Sequence, residues 1–186
     1  MRIVAGSAKG VRLGPVPRGV RPVSDMAREG IFSSLGPSVE GARVLDLFAG
    51  TGAMAIEALS RGAERAVLVE RDRSAARTIR DNLVRSRLSA SAEVVVARVA
   101  SFLAGAPGAE NARPLDLVLV DPPYATPVPE LEAVLAALGS GWVSGPGWRV
   151  VLTRPKEAST LVIPVHWLVA RRLSYGDTRA LILQEA

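Results

Sequence analysis

From residue 42 onward, short runs rich in β-formers alternate with longer stretches of helical periodicity, and nothing else in the chain restricts its fold as strongly. Strands separated by helix-length segments run parallel, with helices covering both faces of the sheet. The pattern predicts a doubly wound, mostly parallel α/β sheet of seven strands. Five lie at Arg43–Leu47, Ala66–Glu70, Glu93–Ala97, Asp116–Val120 and Arg149–Thr153. An antiparallel pair near Trp167–Leu173 and Arg179–Gln184 closes the chain, with Gly176 at its reversal. Helices are expected at Ala53–Arg61, Ser74–Arg87 and Pro129–Leu138, with Gly62 and Gly139 as left-handed caps. The first of these is apolar nearly all round, hence buried.

Residues 1–41 read differently. Arg2, Lys9, Arg12, Arg18 and Arg21 fall in the first 22 residues with no acid among them, so this leader alone equals the net charge of +5. Ser24 or Asp25 can cap a helix whose Ala27, Ile31 and Leu35 repeat every four residues. The expectation is a basic N-terminal arm and helix, 1–41, packed on a catalytic domain, 42–186. Such an arm suits nucleic-acid phosphates, which its five cations would meet, with a solvated tail as the alternative.

A chain of 186 residues sustains one core. It has no cysteine and one histidine, which removes thiol nucleophiles, thiolate zinc and His-based metal sites. No metal is expected. No apolar run reaches the roughly 20 residues that span a bilayer, and no signal core precedes Gly6 and Lys9. A cytoplasmic protein without a membrane partner is expected. His166, between Val165 and Trp167, and the tryptophans Trp142 and Trp148 read as structural.

Asp46-Leu47-Phe48-Ala49-Gly50-Thr51-Gly52 ends the first strand on an acid and turns through two glycines into a helix, where open α/β sheets receive ligands. The second strand ends in Glu70, a carboxylate able to accept from both hydroxyls of a ribose, so a nucleoside is implied. The loop also satisfies G-x-G-x-x-A, leaving a dinucleotide as a rival. Asp46 argues against a pyrophosphate, since like charges about 4 Å apart repel strongly out of water. S-adenosylmethionine (SAM), with a positive sulfur, an ammonium and no phosphate, reverses that sign.

The fourth strand ends in Asp121-Pro122-Pro123-Tyr124. The prolines fix the backbone. The Asp121 carboxylate and Pro122 carbonyl can each accept one N–H of an exocyclic amine, leaving its lone pair free to meet a methyl group, while Tyr124 stacks on the base. Orientation supplies most of such catalysis.

The leader residues Arg2-Ile3, Gly6, Gly10, Leu13, Arg21-Pro22, Asp25, Arg28-Glu29, Phe32 and Leu35, followed by LDLFAGTGAMAIEALSRGA, VERD and DPPY, resemble the bacterial 16S ribosomal RNA guanine-N2 methyltransferases, the ribosomal small-subunit methyltransferase D family. The resemblance covers nearly the whole chain. It implies a class I SAM-dependent methyltransferase with sheet order 3-2-1-4-5-7-6, acting on one guanine of the 30S subunit or its assembly intermediate, as a monomer. It implies that Asp46, Phe48, Ala49, Gly50, Thr51, Gly52, Glu70, Arg71 and Val99 hold SAM. Asp25, Arg28 and Glu29 would close its pocket, although Arg28 with Asp25 is also a plain i,i+3 pair.

Two features depart from the family pattern. Arg98 stands where many such enzymes carry an acid for the adenine amine, so apolar contacts and an amide near Val99 must serve. Val23, Ser24 and Met26 surround Asp25, thinning the expected RNA contacts there. Adenine-N6 methylation of DNA, glutamine methylation of protein, a non-catalytic RNA-binding assembly factor and an NAD oxidoreductase remain alternatives. Whole-leader similarity disfavours the first two, and the intact motifs disfavour the assembly factor. No catalytic His, Tyr-x-x-x-Lys or cysteine supports the oxidoreductase.

Overall fold

A computed structural model describes residues 1–15, 22–105 and 114–186. Seven strands form one sheet: β1 (Arg43–Leu47), β2 (Arg65–Glu70), β3 (Ala92–Val96), β4 (Leu117–Val120), β5 (Arg149–Pro155), β6 (Trp167–Tyr175) and β7 (Thr178–Glu185). Their order is β3-β2-β1-β4-β5-β7-β6, with β1 to β5 parallel and β7 antiparallel to both neighbours. This is the order the resemblance implies. Continuous apolar runs such as Leu117–Val120 are buried along their whole length, as strands covered on both faces must be.

Helices α1 (Asp25–Leu35), α2 (Ala53–Ser60), α3 (Arg73–Ser86), α4 (Val99–Leu103) and α5 (Val128–Ala137) flank the sheet. Ser24, rather than Asp25, caps α1 by accepting from the Ala27 amide. Ala27, Ile31 and Leu35 are buried as their spacing predicts. All eight residues of α2 are buried, including Glu57 and Ser60. The helix α4 has no sequence signal, being five residues long and rich in β-formers.

Gly139 does not cap α5. The chain leaves α5 through a kink in Leu138–Trp142, where Ser140 and Gly141 depart from helical geometry; Leu138 and Trp142 both reach the core, and the positive φ falls on Gly141 at 132°. Trp148 is buried against Trp167, centroids 4.8 Å apart, and Trp142 lies beside Phe102. His166 is exposed. Between β6 and β7 the two-residue turn puts Gly176, φ 59°, at its first position, where a side chain would be strained.

The leader folds back on itself. Arg2 and Arg12 form an antiparallel bridge, and Ile3, Ala8 and Leu13 belong to the same buried cluster as α1 and α2. Glu57 anchors it from inside α2, accepting from the Val4 and Ala5 amides at 2.8 and 3.0 Å.

Candidate active site

The loop after β1 passes through three left-handed residues, Phe48 (φ 61°), Gly50 (φ 58°) and Gly52 (φ 75°). An aromatic side chain in that region is strained, a feature that clusters at functional sites. Gly52 is the N-cap of α2 and has no side chain to cap with. Asp46 caps the helix in its place, with Oδ2 accepting from the Ala55 amide at 3.1 Å, which satisfies a first-turn donor and places negative charge at the helix N-terminus. Glu70 ties the loop to β2, accepting from Gly50 at 2.9 Å and from Asp72 at 2.8 Å. Asp72 in turn caps α3 through the Ser74 and Ala75 amides.

These groups border a cavity of about 750 Å³ at the carboxyl ends of β1, β2 and β4. Asp46, Phe48, Ala49, Gly50, Thr51, Glu70, Arg71 and Val99 all line it, joined by Asp121 to Tyr124. Gly52 lies outside the lining, in the turn that starts α2. The wall carries five acids (Asp46, Glu70, Asp72, Asp121 and Glu130) against two arginines (Arg71 and Arg98). Burial, with Asp121 and Glu70 nearby, holds the Asp46 carboxyl well above the usual carboxylate range, against the lowering effect of the Ala55 amide. A cation relieves that strain and a pyrophosphate compounds it. The donor set therefore fits a sulfonium cofactor.

Asp121 stands at the end of β4. Burial pushes its carboxyl up to about 6, and Thr153 on β5, donating its hydroxyl to Oδ1, opposes the rise. The Tyr124 ring is held at its far end, where its hydroxyl and that of Thr178 lie 2.9 Å apart. Neither threonine is visible as a site residue in the sequence, because each reaches the motif from another strand.

Three residues expected at the mouth are elsewhere. Arg28 is completely buried, donating to the Val23 and Arg2 carbonyls and to Asp25, with its Nε 3.9 Å from Glu57. It occupies the same core face of α1 as Ala27 and Ile31, so its charge is spent inside the protein. Neither it, Asp25 nor the exposed Glu29 lines the cavity; Pro22 and Val23 do. Of the leader cations, Arg2, Lys9 and Arg12 are exposed, Arg2 lying 3.8 Å from Asp25. Arg18 and Arg21 lie outside the described residues. Among the described residues no group of three or more His, Cys, Asp or Glu could hold a metal ion, and no helix is long and apolar enough to cross a membrane.

A link behind the loop has no signal in the sequence. Asn82, buried on α3, donates to the Thr51 carbonyl at 2.9 Å and accepts from the Gly14 amide at 2.7 Å.

A sheet of this order, with an acidic pocket where its first two strands end and Asp121 to Tyr124 on the pocket wall after its fourth, defines a SAM-dependent methyltransferase of the class I type. The sequence family described as conserved hypothetical protein 95 matches residues 1–184, and the chain belongs to it. Ribosomal RNA small subunit methyltransferase D of Escherichia coli (strain K12) is 34% identical over 179 residues, 95% of this chain and 86% of that protein. The solved structure of "Putative methyltransferase yhhF" from Escherichia coli superposes with a TM-score of 0.84 at 32% identity, covering 100% of this chain and 97% of that one. SMU.776, solved with SAH bound, shares the fold alone: TM-score 0.71 and 14% identity, over 89% of this chain and 50% of that one.

Proposed function

We propose that the protein methylates the exocyclic N2 amine of one guanine in 16S ribosomal RNA, in the cytoplasm, as a monomer acting on the 30S subunit or its assembly intermediate. The observation that carries this reading is the placement of Asp121 to Tyr124 along one wall of the acidic cavity. Family membership and the small-subunit methyltransferase relatives support the acceptor. SAM bound in that cavity supplies a methyl group on a positively charged sulfur. Asp46, Glu70 and the Phe48–Thr51 loop would hold it, with Val99 and Ala97 against the adenine.

Asp121, deprotonated above about pH 6, accepts one N–H of the amine, and the Pro122 carbonyl accepts the other. Two fixed acceptors turn the nitrogen lone pair toward the cavity. Tyr124, its hydroxyl fixed beside Thr178, stacks on a guanine that has left its helix stack. The proton lost from nitrogen passes to Asp121 or water. Arg2, Lys9, Arg12, Arg18 and Arg21 would meet RNA phosphates, while Asp25, Arg28 and Glu29 would border the cofactor only through the Pro22–Val23 segment.

The test is transfer of a tritiated methyl group from SAM to small-subunit particles lacking the modification, with Asp121→Ala alongside and the product mapped by nuclease digestion and mass spectrometry. Label on a single guanine N2, lost in Asp121→Ala while SAM still binds, is the expected result. Label on adenine or on a glutamine moves the substrate, and no label on any acceptor favours an RNA-binding assembly factor.

A further inference from the structure

A second, smaller cavity of about 290 Å³ lies across the Pro122–Tyr124 wall from the first, bounded on its far side by the end of β5 and by Ser159. Arg154 lines it and is only 9% exposed. One of its N–H groups donates to the Ser159 carbonyl at 2.7 Å, and among the described residues no carboxylate pairs with it. Its Cα partner across the strands is Arg179 on β7, half-buried and likewise without an ion pair among the described residues. Directly opposed residues on antiparallel strands put their side chains on one face, where like charges repel.

This arrangement is costly for a protein that keeps it for packing alone. Arg28 shows the contrast: completely buried, it is surrounded by Asp25, Glu57 and two carbonyls. Arg154 has one carbonyl and a second cation, Arg179, which stands beside the cavity and not in its lining; Glu132 acts on it at longer range, and Glu157 lines the same cavity. Burial and Arg179 both pull its pKa down from the ordinary arginine value, with only Glu132 opposing, and Glu132 is already bonded to the Val162 amide. A guanidinium carries five donors in a fork that matches phosphate geometry, and most of this fork is unused.

We infer that Arg154 and Arg179 form the seat for a backbone phosphate of the acceptor RNA, next to the nucleotide whose base enters between Tyr124 and Asp121. The inference rests on the acceptor role of Asp121 to Tyr124. The two arginines hold the strand while the tetrapeptide holds the base, so that the flipped nucleotide is fixed at two points on opposite sides of one wall. They are positioning residues and touch no reacting atom.

The test compares Arg154→Gln, Arg179→Gln and the double variant with wild type, measuring KM for unmodified small-subunit particles across roughly 50 to 200 mM salt at constant magnesium. Arg65→Gln, an equal loss of charge at the opposite end of the strands, is the control. Each of the two arginine substitutions should raise KM about tenfold, the value of a hydrogen bond to a charged group. Each should also lower the slope of log KM against log salt by about 0.7 to 1, with SAM affinity unchanged. Because a repulsion is removed, the thermal midpoint should hold or rise, which separates the effect from misfolding. KM and slope equal to those of Arg65→Gln would overturn the proposal, as would a loss confined to kcat with an unchanged salt slope, the signature of a base-edge contact. Asp121→Ala is assayed in parallel. If it abolishes transfer while the arginine variants behave as the control, the acceptor reading stands and the phosphate seat falls; if it leaves transfer intact, the acceptor reading itself falls.

Discussion

Thr153 donates its hydroxyl to the carboxylate of Asp121 from the neighbouring parallel strand, so the carboxylate that follows β4 at the cavity wall is oriented by the sheet and not by its own loop. The same bond restrains the upward pressure of burial on that carboxyl, which stands at about 6.

Removing the hydroxyl with Thr153→Val should therefore raise the Asp121 pKa. The ionised carboxylate accepts an N–H more strongly than the neutral acid and can take the released proton, so kcat/KM for wild type should fall below about pH 6, and the acid limb of the variant should lie at higher pH. A pH profile of methyl transfer reads this directly. The variant's deficit should be larger at pH 6 than at pH 8, whereas a purely structural defect would scale the whole profile.

Asp121 also makes stability depend on pH. Its folded pKa of about 6 exceeds the unfolded value of about 3.9, so the native state holds the proton more tightly. The stabilisation is fully present below about pH 4 and is lost as pH rises through about 6. At pH 8 the ionised carboxylate costs on the order of 3 kcal/mol. Asp121→Asn should raise the urea midpoint at pH 8, lose that advantage near pH 4 and slow methyl transfer at pH 8, since its amide oxygen accepts an N–H less strongly and cannot take the proton. A stabilising substitution that lowers activity is expected where charge is held against burial.

Gly6 and Gly10 are a matched pair. Both have positive φ, 81° and 86°, yet a Cβ on Gly6 would lie 1.7 Å from the Ser60 carbonyl oxygen while one on Gly10 meets nothing within 4 Å. Gly10→Ala should cost only backbone strain, about 1 kcal/mol. Gly6→Ala must also push the leader off α2, breaking the Ser7 and Ala8 amide bonds to Ser60, and should cost well over about 2 kcal/mol in chemical denaturation.

Much of the site is legible in the sequence because it is local. Strand β1 has the residues its pattern predicts, and the glycine loop and Asp121–Tyr124 each announce themselves within a few consecutive positions. What stays hidden depends on contacts between distant segments. Glu57 sits in what reads as an apolar helix, and only the leader's return explains why a carboxylate is buried there. Arg28 reads as a pocket residue through the family resemblance alone, whereas the phase of α1 turns it into the core. The opposition of Arg154 to Arg179 follows from the register of β5 with β7, which no periodicity in either strand encodes.

Asn82 belongs to the same hidden class and carries the last prediction. Its amide spans the glycine loop and the leader at once, through Thr51 and Gly14, and its complete burial leaves no water to replace either bond. Asn82→Leu keeps the size and removes both partners, stranding the Thr51 carbonyl and the Gly14 amide at about 1 to 3 kcal/mol each. Thr51 lines the cofactor cavity, so the loss should fall on the cofactor as well as on the fold. Isothermal titration with SAM should show binding weakened about tenfold or more. Asn82→Asp separates the two links: its carboxylate still accepts from Gly14 but cannot donate to Thr51. If Asp restores stability and not SAM affinity, the bond to the loop is the one that shapes the pocket; if it restores both, the leader's anchorage sets the loop indirectly.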